Sequence, residues 1–101
     1  GKSMVLTHLG AQALQAGHNV VHYTLELLDT VVAGRYDSCI TGIELNDLLD
    51  KKDEIYEQIK DIDGKLIIKE YPTKTASVKT LRNHLEKITK RGGEIDMIIV
   101  D

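Results

Sequence analysis

The run Met97-Ile98-Ile99-Val100 has no polar residue, yet Asp96 and Asp101 bracket it. A strand that is apolar on both faces belongs in a sheet covered on both sides. That is the arrangement of parallel sheets, whose crossover helices lie on the two faces. Two other short runs suit the same sheet. Val20 to Leu25 is β-branched and aromatic, and Leu66 to Glu70 follows the turn signal Asp63-Gly64. Between these runs the apolar period changes to that of a helix, so the chain reads as α/β.

The helical segments carry their own signals. Lys2 to Ala16 holds only helix-compatible types, with Val5, Leu6, Leu9, Ala13 and Ala16 at helical spacing, and Gly17 offers a left-handed stop. A second helix is expected over Asp29 to Cys39, with Val32, Tyr36 and Cys39 inward and a mid-helix Gly34 that costs about 1 kcal/mol against alanine. Asn46 to Ile62 reads as one or two helices, with Ile55, Ile59 and Ile62 on one face. Ser77 is the expected N-cap of a helix bearing Val78, Leu81, Leu85 and Ile88, and Arg91-Gly92-Gly93 ends it.

Composition excludes more than it assigns. The chain has 101 residues, 42% of them hydrophobic and 29% charged, which suits one folded domain and rules out disorder and collagen-like repeats. No apolar run approaches the roughly 18 residues of a membrane helix, so no membrane partner is expected. A single cysteine, Cys39, excludes a disulfide framework; it is expected to be a core or half-buried thiol. The net charge is −3, with the acidic residues concentrated between Glu44 and Asp63 and the basic ones between Lys65 and Arg91. Two solvated helical faces account for that split, and with no Phe or Trp the composition carries no nucleic-acid signal.

The chemistry sits at the two ends. Gly1-Lys2-Ser3 opens directly into a helix, as does the close of the phosphate-binding loop G-x-x-x-x-G-K-[ST]. Glycine lets the backbone approach a phosphate, while the helix N-terminus presents unpaired N–H groups. Lysine reaches the β- and γ-phosphates, and the serine hydroxyl ligates Mg²⁺. Asp96 to Asp101 has the Walker B pattern, an apolar strand with a carboxylate at its C-terminal tip, where α/β proteins bind ligands and where Asp101 can serve a metal. Glu26 stands directly after the run Val20 to Leu25 and can orient and polarise a water for in-line attack. His18 and His22, four apart, lack further ligands at metal spacing, and His8 and His84 are expected at the surface. Arg35 and Arg82 are each expected to pair within the chain, with reach to an adjacent subunit as the alternative.

Together these residues resemble a known family. Gly1-Lys2-Ser3 into a helix, Tyr23-Thr24-Leu25-Glu26-Leu27 at a strand end, Arg82 on a helix after a Thr/Ser-rich loop, and Asp96 to Asp101 look like the RecA-type ATPase core of DnaB-like replicative helicases. Glu26 to Gly42, with Arg35-Tyr36-Asp37 inside, and Ile67 to Thr73 look specifically like the T-even phage branch.

The resemblance implies a partial RecA-like P-loop core, with parallel strands in the order 66–70, 20–25, 97–101. The lysines flanking 66–70 agree with an edge there. It implies ATP and Mg²⁺ as cofactors, with Gly1, Lys2 and Ser3 on phosphate, Ser3 and Asp101 on the metal, and Glu26 as catalytic base. In the whole protein it implies a homo-hexamer translocating on single-stranded DNA, a primase and a helicase loader as partners, and a cytoplasmic location in a bacterial or phage-infected cell. The chain is then expected to be a slice of one ATPase domain, residues 1–101, beginning inside the phosphate loop and ending on the Walker B aspartate. Taken alone, such a slice should hold ATP weakly and turn none over. The DNA-binding loops and arginine finger would lie elsewhere. Another RecA-type ATPase, of recombinase or clock type, shares every motif present, and an inert folding or assembly unit is the non-enzymatic reading.

Overall fold

A computed structural model of the chain describes residues 2–72 and 76–101. Its elements run α1 (Lys2–Gln15), β1 (Val20–Thr24), α2 (Asp29–Thr41), a 3-10 turn (Leu45–Asp47), α3 (Lys52–Ile59), β2 (Leu66–Glu70), α4 (Val78–Lys90) and β3 (Met97–Val100). The strands form a three-stranded parallel sheet in the order β2-β1-β3, as the sequence led one to expect. β1 is buried along its whole length because strands cover both its edges and helices both its faces. Asn19 aligns the three strands at their start. Its side-chain oxygen accepts from Lys65 N (3.0 Å), and its carbonyl accepts from Asp96 N and Met97 N (2.9 and 3.1 Å).

Residues that pair in register point to the same face. Val20, His22 and Thr24, with Ile99 beside His22, look toward α1 and α2. The main apolar cluster lies there: Ala11, Ala13, Leu14, Val20, Val32, Tyr36 and Ile99. α2 ends at Thr41, two residues beyond the expected end at Cys39, and Gly42 closes it in the left-handed conformation (φ 77°). The N-terminus of α2 has no cap of its own, and Glu70 at the tip of β2 accepts from Asp29 N instead (3.2 Å).

Four expectations need correction. α1 is apolar on more than one side, and the side that packs carries the small residues Thr7, Gly10, Ala11 and Ala13 with Leu14; Leu6 is half-buried, while Val5 is 60% exposed and Leu9 and Ala16 are exposed too. Small side chains win because they let α2 approach closely. β3 is not buried on both faces: Ile99 is buried, but Ile98 and Val100 are 50% and 49% exposed on the α4 side, which α4 covers only in part. The acidic stretch forms a single helix, as one of the two expected alternatives, but a short one: α3 follows the 3-10 turn, with Ile55 buried and Ile59 and Ile62 half-buried. Finally, His84 is half-buried rather than exposed.

Ser77 does cap α4, accepting from Thr80 N (3.2 Å), and Leu81, Leu85 and Ile88 are half-buried while Val78 is exposed. α4 has no fully buried residue, so a polar pair matters to its docking: the Tyr23 hydroxyl lies 2.8 Å from His84 Nδ1. Burial, and then the nearby Lys69 and Lys87, hold His84 below its ordinary pKa of 6.5. The undocked helix therefore takes up a proton more readily than the docked one, so docking is at full strength above pH 6.5 and weakens as the pH falls below it. Amide exchange in α4, corrected for its intrinsic pH dependence, is expected to quicken as the pH drops from 6.5, and His84→Gln should abolish that trend. A trend that persists in the variant would place the titrating group elsewhere.

Candidate active site

The sheet brings the two ends of the chain together. Ser3 lies in the first turn of α1 and its Oγ donates to Asp101 Oδ1 at 2.9 Å, across 98 residues of sequence. Asp101 is pinned by its backbone, its N–H donating to Tyr23 O (2.8 Å) and its carbonyl accepting from Leu25 N (2.9 Å), so the β1–β3 ladder itself sets the carboxylate beside α1.

Glu26 reaches the same place through a turn built by Thr24. The buried Thr24 Oγ1 donates to Leu27 O (3.0 Å) and accepts from Leu27 N (3.1 Å). That closes the backbone over residues 24–27 and turns it off the strand with Glu26 exposed at the rim.

A crevice of about 290 Å³ results, lined by Lys2, Ser3, Met4, Thr24, Glu26, Leu27, Arg35 and Asp101. Lys2, Ser3, Glu26 and Asp101 thus line one crevice, while Gly1 lies outside the described residues. Arg35 was missed as a crevice residue. Its signal was its place on α2 beside Val32 and Tyr36, the two inward positions. Arg82 is exposed on α4 and does not line the crevice.

Two cationic and two carboxylate side chains around an open crevice, at the N-terminus of a 14-residue helix, are a donor set for a phosphate chain with a divalent cation. No group of three or more His, Cys, Asp or Glu side chains among the described residues is placed to hold a metal alone. A Mg²⁺ here would therefore draw on Ser3, Asp101, phosphate oxygens and water, which is how this ion is usually bound. The residues fit the group.

Behind Asp101 lies a residue that sequence reasoning undervalued. His22 is fully buried, with Nε2 3.5 Å from Asp101 Oδ2 and Nδ1 2.7 Å from the Tyr36 hydroxyl. Burial holds His22 below its usual pKa, against the opposing pull of Asp101. His18 instead is exposed, 3.8 Å from Asp96, so the two histidines share no site. Cys39 is half-buried, burial raises its thiol pKa, and it does not line the crevice. No described helix is long and apolar enough to cross a membrane.

With this geometry in hand, comparison with known proteins becomes informative. The chain is 32% identical over 108 residues to a protein of Enterobacteria phage T4 described as a DnaB-like replicative helicase. The chain is similar to a DnaB-like replicative helicase. The match takes in 99% of this chain and 23% of the phage T4 helicase, so the chain spans only a minor share of that relative's length. No family model matches the chain.

Proposed function

We propose that this chain carries the ATP-hydrolysing centre of a replicative DNA helicase, with ATP hydrolysis driving translocation on single-stranded DNA and duplex unwinding. One observation carries the reading: the hydrogen bond from Ser3 to Asp101, which joins a phosphate-loop ending to a Walker B carboxylate at the mouth of a charged crevice. Similarity to the phage T4 helicase supports the choice among ATPases.

In this reading Lys2 and the first N–H groups of α1 bind the β- and γ-phosphates, and Arg35 adds positive charge from α2. The Ser3 hydroxyl and the Asp101 carboxylate would hold Mg²⁺, which supplies charge compensation to the phosphates when bound. Glu26, free at the rim, accepts the proton of a water aligned for attack on the terminal phosphorus. DNA contacts, a hexameric ring and any primase or loader involve the whole protein.

The test is steady-state phosphate release and forked-duplex unwinding by the full-length protein, with and without single-stranded DNA. Lys2→Ala is expected to weaken nucleotide binding and lower turnover together, because it removes a charge that the phosphates need in both ground and transition states. Wild-type nucleotide affinity in Lys2→Ala would remove the phosphate site from this crevice. DNA-stimulated hydrolysis without unwinding would instead favour another RecA-type ATPase.

A further inference from the structure

Asp101 presents two carboxylate oxygens to two different partners. Oδ1 accepts from Ser3, and Oδ2 faces His22 Nε2 from 3.5 Å. His22 is 0% exposed, and Nε2 makes no hydrogen bond among the described residues. A neutral imidazole has one donor and one acceptor nitrogen. Were the proton on Nδ1, the lone pair of Nε2 would look straight at a carboxylate oxygen in a buried space, a repulsive and unsatisfied arrangement. With the proton on Nε2, the Tyr36 hydroxyl donates to Nδ1 at 2.7 Å, and the Nε2–H has a carboxylate oxygen, Asp101 Oδ2, 3.5 Å away to attract it. Tyr36 is in turn held against α1 at Gly10, where a Cβ would stand 2.8 Å from its Cε1.

We propose that His22 is a positioning residue for Asp101: Tyr36 fixes its tautomer, and its Nε2–H holds Oδ2 so that Oδ1 stays directed at Ser3 and the cation. The part concerning the cation rests on the nucleotide-site reading; the tautomer and the contact do not. Hydrogen bonds in active sites commonly shorten on ligand binding. Partners of ligating carboxylates and histidines commonly govern metal affinity through orientation alone.

Two measurements on the full-length protein test it. In protein labelled with ¹⁵N-histidine, a two-bond ¹H–¹⁵N correlation reports which ring nitrogen of His22 carries the proton. Nε2 is expected, with its resonance moved by Asp101→Asn and the tautomer disturbed by Tyr36→Phe; a proton on Nδ1 overturns the proposal. In the second, Mn²⁺ is titrated in the presence of ADP and free Mn²⁺ is read by electron paramagnetic resonance. His22→Met, which fills the space without a donor, should weaken Mn²⁺ about tenfold. His22→Gln, whose amide restores a donor near Nε2, should return it to within about threefold. Unchanged affinity in His22→Met overturns the proposal. Should His22→Met not fold, Tyr36→Phe keeps the ring volume and must show the same weakening. If even the wild type binds no Mn²⁺ with ADP, the nucleotide reading fails, and the tautomer still decides whether His22 holds Asp101.

Discussion

Glu26→Gln in the full-length protein is expected to lower ATP turnover by about 10²-fold or more while leaving ATP affinity within about threefold. The side chain sits exposed at the rim of the crevice, held out by the Thr24 turn, and makes no hydrogen bond or ion pair among the described residues. Glutamine keeps its length and polarity but cannot accept a proton from water. The change also removes a negative charge near the phosphates, so ground-state binding has no reason to weaken. Equilibrium binding of a fluorescent ATP analogue and single-turnover phosphate release separate the two effects. Turnover near wild type would move the base to another residue.

Gly10→Ala is expected to lower the stability of the fold by about 2 kcal/mol, although alanine is the better helix former. The gain in helix propensity is about 1 kcal/mol. Against it, a Cβ at residue 10 would collide with the Tyr36 ring, its nearest carbons only 2.8 and 2.9 Å away and its hydroxyl oxygen nearer still. Overpacking of that kind costs about 1–3 kcal/mol. Displacing the hydroxyl also breaks the buried bond to His22, at a further cost of about 1–2 kcal/mol. Gly34→Ala is the matched control. It too lies inside a helix, but its nearest contact is Leu48 Cδ1 at 3.4 Å, so it should gain up to about 1 kcal/mol. Urea midpoints for the two variants should move in opposite directions. A stabilised Gly10→Ala would mean that Tyr36 yields readily and fixes nothing.

Most of what positions the crevice was legible in the residues. Strand order came from the family resemblance, with the almost uncharged β1 and Lys65 and Lys69 at β2 in agreement, and Ser77 announced the start of α4 by its type alone. Lys2, Ser3, Glu26 and Asp101 came together because local signals at each, a helix start or a strand end, were backed by the parallel topology. What escaped were relations between faces. α1 has apolar residues on several sides, and periodicity cannot tell that Thr7, Gly10 and Ala11 pack while Val5 does not; the partner helix decides. His22 reads in sequence as an odd polar residue in an apolar run. Its meaning comes from Tyr36 on one side and Asp101 on the other, 14 and 79 residues away. His84 was misjudged for the same reason, its partner Tyr23 being 61 residues earlier.

The order β2-β1-β3 also has a consequence in time. Contacts between α1 and α2, and between β1 and β2, can form while the strand bearing Asp101 is still unpaired, since their partners lie closer along the chain. Pairing β3 with β1 closes a longer loop than pairing β2 does, at a somewhat higher cost in chain entropy. The bond from Ser3 to Asp101 belongs to this pairing. A chain with β3 unpaired would lack the crevice, so under the proposed function a nucleotide would select molecules with β3 in place and draw that pairing to completion.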